Sequence, residues 1–334
     1  MVIKMKKLSL LLSALVILSL LCFNFTACSG EAIYSEGDGE LHVLCTTFAP
    51  FDFVRQVGGD RVKVSILQDS GADLHNYTPT AATLSALSDA DLFVCIGGSS
   101  DNAWLPDAVN AAGNSSLKPL CLIDSVEPMY ASLEDDWSGE EHSHEGDHDD
   151  HGHDHSHDGH DHGADEHIWT SVKNAMLMVE AIKDALIEAD PEGREIYENN
   201  AADYLARLTY LDTQLEKLEG EIPLLLMADR FPFVYLLHDY HIPYVAAFSG
   251  CSTEVNAGFE TQIKLIEAVR DNSISTIFVI DGGSKDLADA ISSETGCAIA
   301  ALDSMQSIDR SHIISGANYI DIMQKNINIL KEAY

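Results

Sequence analysis

Histidine carries most of the chemistry this sequence offers, and it is distributed unevenly. Nine of the 30 residues from Trp137 to Glu166 are His: His142, His144, His148, His151, His153, His155, His157, His160 and His162. Most of the others are Asp, Glu or Gly. Neutral imidazole is the commonest side-chain ligand for zinc, copper and nickel. Many imidazoles on a chain without apolar periodicity cannot bury a core, so a mobile loop with several interchangeable, labile metal sites is expected. The interleaved carboxylates favour protonated His, so this loop should release metal sooner on acidification than an isolated imidazole would. Such a loop lacks fixed geometry, and a discriminating site must come from ordered residues.

The ordered residues read as two series of alternating strands and helices. In the first, Leu41-Val43-Leu44, Val62-Val64-Ile66-Leu67, Leu92 to Ile96 and Pro119 to Ile123 are strand-like, with helices from Asp52 to Val57 and Thr80 to Leu87. In the second, Leu224 to Met227, Tyr244 to Phe248, Thr276 to Ile280 and Ala298 to Leu302 alternate with helices at Phe259 to Val269, Lys285 to Ser293 and Asn318 to Ala333. Alternation of this kind predicts parallel sheets covered by helices, hence an α/β fold of two similar lobes. Between them Tyr197, Ala201, Tyr204, Leu208, Leu211, Leu215 and Leu218 recur at helical steps after Asp190-Pro191, a good cap and first-turn pair. A helix from Pro191 to Leu218 would be roughly 42 Å long, a stiff strut joining the lobes. The expected organisation is a leader over 1–27, a tether over 28–40, an N-terminal lobe over 41–170 that contains the 137–166 loop, linking helices over 171–221 and a C-terminal lobe over 222–334.

Lys4, Lys6 and Lys7 precede an apolar run from Leu8 to Phe23, and small residues lead to Cys28. That is the pattern of an export signal, and the run is too short to span a bilayer. Phe25-Thr26-Ala27-Cys28 looks like a bacterial lipobox, which makes Cys28 the lipidated first residue of the mature chain, anchored extracytoplasmically to the cell membrane. The 19 basic residues against 54 acidic ones argue against nucleic acid and for cations as partners. Of the remaining cysteines, Cys45, Cys95 and Cys121 sit in apolar strand-like runs and read as buried, inert thiols. Cys251 and Cys297 lie in loop-like settings and are candidates for a disulfide in an exported protein.

Several runs resemble the cluster 9 metal-binding lipoproteins, the solute-binding subunits of zinc and manganese ABC importers. They are Thr46-Thr47-Phe48-Ala49-Pro50 with Asp52 to Val62, Gly71-Ala72-Asp73-Leu74-His75-Asn76-Tyr77-Thr78-Pro79, Asp165-Glu166-His167-Ile168-Trp169, and Thr295-Gly296 through Leu302-Asp303-Ser304. The resemblance covers nearly the whole mature chain. It implies metal held in the cleft between two lobes joined by a long helix, with His75, His167 and Asp303 as ligands. It also implies a permease and its ATPase as partners, Zn2+ ahead of Mn2+ or nickel as cargo, and a monomer.

The third histidine of that pattern is replaced by Arg230, within Ala228-Asp229-Arg230-Phe231-Pro232-Phe233-Val234-Tyr235. A guanidinium is permanently charged and cannot ligate a cation. The missing ligand could be a water, a loop histidine, His238, His241, Asp229 or Glu260. Two His, a carboxylate and a water suit zinc better than manganese. The rivals are a zinc hydrolase, for which no His-Glu-x-x-His base is present, and a surface adhesin or metal buffer.

Overall fold

The computed structural model describes residues 33–68, 77–117, 119–129, 164–249 and 257–334. The leader, Cys28, His75, His142 to His162 and Cys251 lie outside the described residues. Residues Tyr34–Tyr334 form one compact unit built on two sheets.

The first sheet contains β1 (Tyr34–Glu36), β2 (Leu41–Cys45), β3 (Val62–Ile66), β4 (Leu92–Cys95) and β5 (Pro119–Cys121), in the order β1-β3-β2-β4-β5. Strands β2 to β5 are parallel, as expected from the alternation. Strand β1 is the exception: read from sequence as tether, Tyr34–Glu36 instead pairs antiparallel with Val64–Ile66, and the hydroxyls of Ser35 and Ser65 lie 2.8 Å apart. Polar composition suits an edge strand as well as it suits a tether. At the opposite edge Cys95 and Cys121 are register partners, with their sulfurs 3.3 Å apart. The helices are α1 (Phe48–Gly58), α2 (Ala81–Asp89), α3 (Ser99–Asn102) and α4 (Leu105–Ala112). Helix α1 starts four residues before Asp52, because Pro50 falls in its first turn, where a missing N–H leaves no bond unmade.

Two helices follow, α5 (Val172–Ala189) and α6 (Arg194–Glu216). Helix α6 is the expected strut, but it has 23 residues, about 35 Å, and begins at Arg194 after a 3-10 turn over Pro191–Gly193. Asp190 does not use its side chain as a cap. Its carboxylate takes hydrogen bonds from Arg61 (2.7 and 3.0 Å) and from the Tyr197 hydroxyl (2.7 Å), which hold it down at about 2. Every periodic residue from Tyr197 to Leu218 is buried.

The second sheet contains β6 (Leu225–Phe231), β7 (Tyr244–Ser249), β8 (Thr276–Ile280) and β9 (Ala298–Leu302), all parallel, in the order β7-β6-β8-β9. Its helices are α7 (Val234–Asp239), α8 (Phe259–Asp271), α9 (Asp286–Thr295), α10 (Arg310–Ile314) and α11 (Tyr319–Ala333). Among the described residues no helix is long and apolar enough to cross a membrane.

One apolar cluster runs through both lobes, from Val43, Phe53 and Val94 across Met178, Leu208 and Leu215 to Phe231, Phe278 and Ile327. Asp52 sits inside it, fully buried. Arg55 donates to its Oδ1 at 2.5 Å and Gln56 at 3.2 Å, while Oδ2 accepts from the Tyr204 hydroxyl (3.1 Å) and the Tyr319 backbone (2.9 Å). Arg55 goes on to the Ala317 carbonyl at 2.7 Å. One carboxylate thereby ties α1 to the strut and to the start of α11. Losing one partner of a buried ion pair leaves an uncompensated charge, so Asp52→Asn should cost about 3 kcal/mol in urea denaturation. Tyr204→Phe, which removes a single hydrogen bond, should cost about 1 kcal/mol. An unchanged Asp52→Asn midpoint would remove the carboxylate from this role.

Candidate metal centre

The residues to be placed are His167 and Asp303. His167 is fully buried and starts a 3-10 turn over Ile168–Thr170. Asp165, two residues earlier, accepts the His167 backbone N–H on Oδ1 at 2.8 Å, and the same oxygen lies 2.8 Å from Nδ1 of the ring. With Asp165 ionised, Nδ1 carries the proton and Nε2 presents a lone pair, the tautomer a metal-binding imidazole needs.

That loop is itself fastened. The Asp165 backbone N–H donates to the Met129 carbonyl at 2.8 Å. The Tyr235 hydroxyl of α7 donates to the Asp165 carbonyl at 2.9 Å and accepts from the Met129 N–H at 3.0 Å. A C-lobe side chain therefore braces the N-lobe loop that carries His167.

Asp303 follows the end of β9, where open α/β sheets place their ligands. Asn326 grips its backbone on both sides, accepting from its N–H (2.9 Å) and donating to its carbonyl (2.8 Å). Its Oδ1 accepts the Met305 N–H at 2.8 Å, which leaves Oδ2 the oxygen better placed for a cation. Burial raises the carboxyl above its ordinary range against the opposing Met305 hydrogen bond, with Asp281 adding to the rise. A direct bond connects the two loops: the Trp169 indole N–H donates to the Ser304 carbonyl at 2.8 Å, and the Tyr319 hydroxyl donates to the Trp169 carbonyl at 2.8 Å.

Glu166, the residue before His167, joins a polar floor. Glu166 Oε1 accepts the Ser99 hydroxyl and the Ser100 N–H, each at 2.8 Å, and Asp101 accepts the Gly97 N–H at 2.9 Å. Gly98 is obligatory there, with φ +88° and Glu166 only 2.7 Å from where a Cβ would stand. The 137–166 loop read from sequence therefore ends too late. Asp165 and Glu166 are 3% and 1% exposed and belong to the folded lobe, their acidic character serving hydrogen bonds rather than solvation.

The alternative third ligands fare less well. Asp229 accepts the Arg230 N–H (2.8 Å) and the Ile280 N–H (3.2 Å), so its oxygens join β6 to β8. Glu260 is exposed and pairs with Lys264. His238 and His241 are exposed beside Asp239 and Glu219. Arg230 lies within β6, just past the register shift against β7, rather than after the strand. Among the described residues, no three His, Cys, Asp or Glu side chains come together as metal ligands. Of the three expected ligands, His167 and Asp303 are among the described residues and His75 lies outside them. A cavity of about 640 Å³ lined by Leu41, Arg61, Asp91 and Asp190 opens at the strand starts, the wrong edge of the sheet for this site.

The sequence reading missed the part played by Asp165, Tyr235 and Ser304. An Asp two residues before a His is the one local signal available, since an Asx-type turn lets it reach both that backbone and that ring.

A family model described as the periplasmic component A of zinc-uptake complexes matches residues 43–333. The zinc-binding lipoprotein AdcA of Streptococcus pneumoniae is 32% identical over 332 residues, 98% of this chain and 61% of AdcA, so the chain spans under two thirds of that relative. The high-affinity zinc uptake system protein ZnuA of Bacillus subtilis is 28% identical over 321 residues, 93% of this chain and 94% of ZnuA. The crystal structure of the Zn(II)-bound ZnuA-like domain of S. pneumoniae AdcA superposes with a TM-score of 0.67 at 26% identity, covering 88% of this chain and 99% of that domain.

The floor yields a pH signature. Burial pushes the Asp101 carboxyl up to about 6, its Gly97 hydrogen bond opposing and Glu166 adding to the rise. The folded state therefore holds a proton that the unfolded chain, titrating at about 4, has lost. Stability from this group is complete below about pH 4 and is lost as pH rises through about 6. Asp101→Asn should flatten the urea midpoint over that window relative to the unaltered protein. Parallel pH profiles would refute the assignment.

Proposed function

This chain belongs to the family of periplasmic zinc-uptake components, and from that membership we propose that it is the extracytoplasmic solute-binding subunit of a metal ABC importer. It is a binding protein rather than an enzyme. Its cargo is a divalent transition metal, zinc first, since the AdcA and ZnuA relatives are zinc proteins by name. The metal is delivered to a membrane permease that works with its own ATPase. A lipid on Cys28 holds the mature, monomeric chain at the outer face of the membrane.

The observation that carries this reading is the fully buried imidazole of His167, with Asp165 Oδ1 2.8 Å from its Nδ1. His75 and Asp303 complete the protein ligands, with water or a loop histidine in the position where Arg230 removes the third imidazole. The His-rich loop collects metal and raises the local chance of capture. Binding needs neutral imidazoles, so affinity should fall below about pH 6.5.

Zinc titration of the mature chain, with a competing chelator for the tight phase, tests this directly. One tight site plus several weak ones are expected. His75→Ala and His167→Ala should each abolish the tight site, and Asp165→Asn should weaken it by about 10- to 100-fold. Deleting 137–163, which spares Asp165 and Glu166, should remove the weak sites alone. Loss of the tight site on deletion would make the loop a source of the third ligand; its survival in His75→Ala would overturn the site.

A further inference from the structure

We propose that Cys95 and Cys121 are joined by a disulfide in the exported protein, a covalent clamp on the edge of the N-lobe sheet. The two are direct register partners on adjacent parallel strands, β4 and β5, and their sulfurs are already 3.3 Å apart. Paired strands run about 4.8 Å apart, inside the range of Cα separations that disulfides bridge. Closing the S–S bond to about 2.05 Å asks for a side-chain rotation rather than a backbone shift.

The two thiols differ in a way that gives the reaction a direction. Cys95 is fully buried and Cys121 half-buried, so an external oxidant meets Cys121. The hydrogen bond from Cys95 lowers the Cys121 thiol below its ordinary range, while the same contact and burial push Cys95 up. The oxidant is a small-molecule or protein disulfide. The Cys121 thiolate attacks one of its sulfurs and expels the other as a thiol. Cys95 then attacks Cys121 in the mixed disulfide, giving the Cys95–Cys121 bond and a second free thiol. Two cysteine thiols are oxidised and one disulfide is reduced to two thiols.

The bond would sit at a useful place. Strand β5 is a three-residue edge strand, and the Ile123 N–H donates to the Ile96 carbonyl at 2.8 Å just beyond it. A Cβ on Gly97 would lie 3.2 Å from the Cys121 Cβ, so the clamp abuts the turn whose Gly97 N–H bonds Asp101.

The test uses the mature chain incubated with oxidised glutathione, alkylated under denaturing conditions without reductant, and mapped by mass spectrometry. Chymotrypsin is needed, because Lys118 precedes Pro119 and the tryptic fragment 64–173 holds both cysteines. A linked peptide pair about 2 Da lighter than the two reduced peptides is expected, released by dithiothreitol. Reduction should lower the thermal midpoint by roughly 5 °C, and Cys121→Ser should be indifferent to it. Alkylation of both cysteines after oxidation, or linkage of either to another cysteine, would overturn the proposal. Neither readout involves metal, so it stands or falls apart from the zinc assignment.

Discussion

A buried charge cannot be left without donors, and the carboxylate of Asp52 obtains its donors from three different parts of the chain. Arg55 and Gln56 come from its own helix, Tyr204 from the strut, and the Tyr319 N–H from the segment that opens the last helix. Parting the first helix from the strut and from the last helix would strip this carboxylate of half its partners while exposing an apolar cluster that runs through both sheets. Large hinge closure, the usual motion of a two-lobed binder, would break both at once. The bond from Trp169 to Ser304 extends the same logic to the candidate ligands, because it joins the His167 loop to the Asp303 loop directly.

Most of the architecture was legible because it rests on burial. Apolar runs such as Leu92 to Ile96 and Thr276 to Ile280 are strands on both readings, and the periodic residues of the strut all face inward. Other features depend on a single partner far away in sequence, and composition cannot show them. Tyr34–Glu36 reads as tether until its pairing with Val64–Ile66 is seen. Asp190 looks like a helix cap until Arg61 claims it. Asp165 and Glu166 look by composition like the end of an acidic loop: only the spacing of Asp165 to His167 signals otherwise, and nothing local marks Glu166 as the acceptor of a serine hydroxyl.

Arg230 stands where the resemblance implies a third histidine. It falls inside β6, where its neighbour Asp229 bonds two backbone N–H groups and so serves the sheet. On the proposed assignment the N-lobe supplies both imidazoles and the C-lobe one carboxylate. A centre divided so unequally should respond more to the N-lobe loops than to the C-lobe. The brace from Tyr235 is then, with the Trp169 to Ser304 bond, one of the routes by which the C-lobe positions the His167 loop.

The chain departs at Met129 and returns at Asp165, and those two residues are hydrogen-bonded to each other and share one tyrosine hydroxyl. Such a closed neck fixes the points at which the chain leaves and rejoins the fold. Loop-closure entropy grows so slowly that doubling a flexible insert costs only about 0.6 kcal/mol. Histidines can therefore be gained or lost there by simple duplication or deletion of short repeats. The histidine content of that segment and the geometry of His167 can therefore change independently.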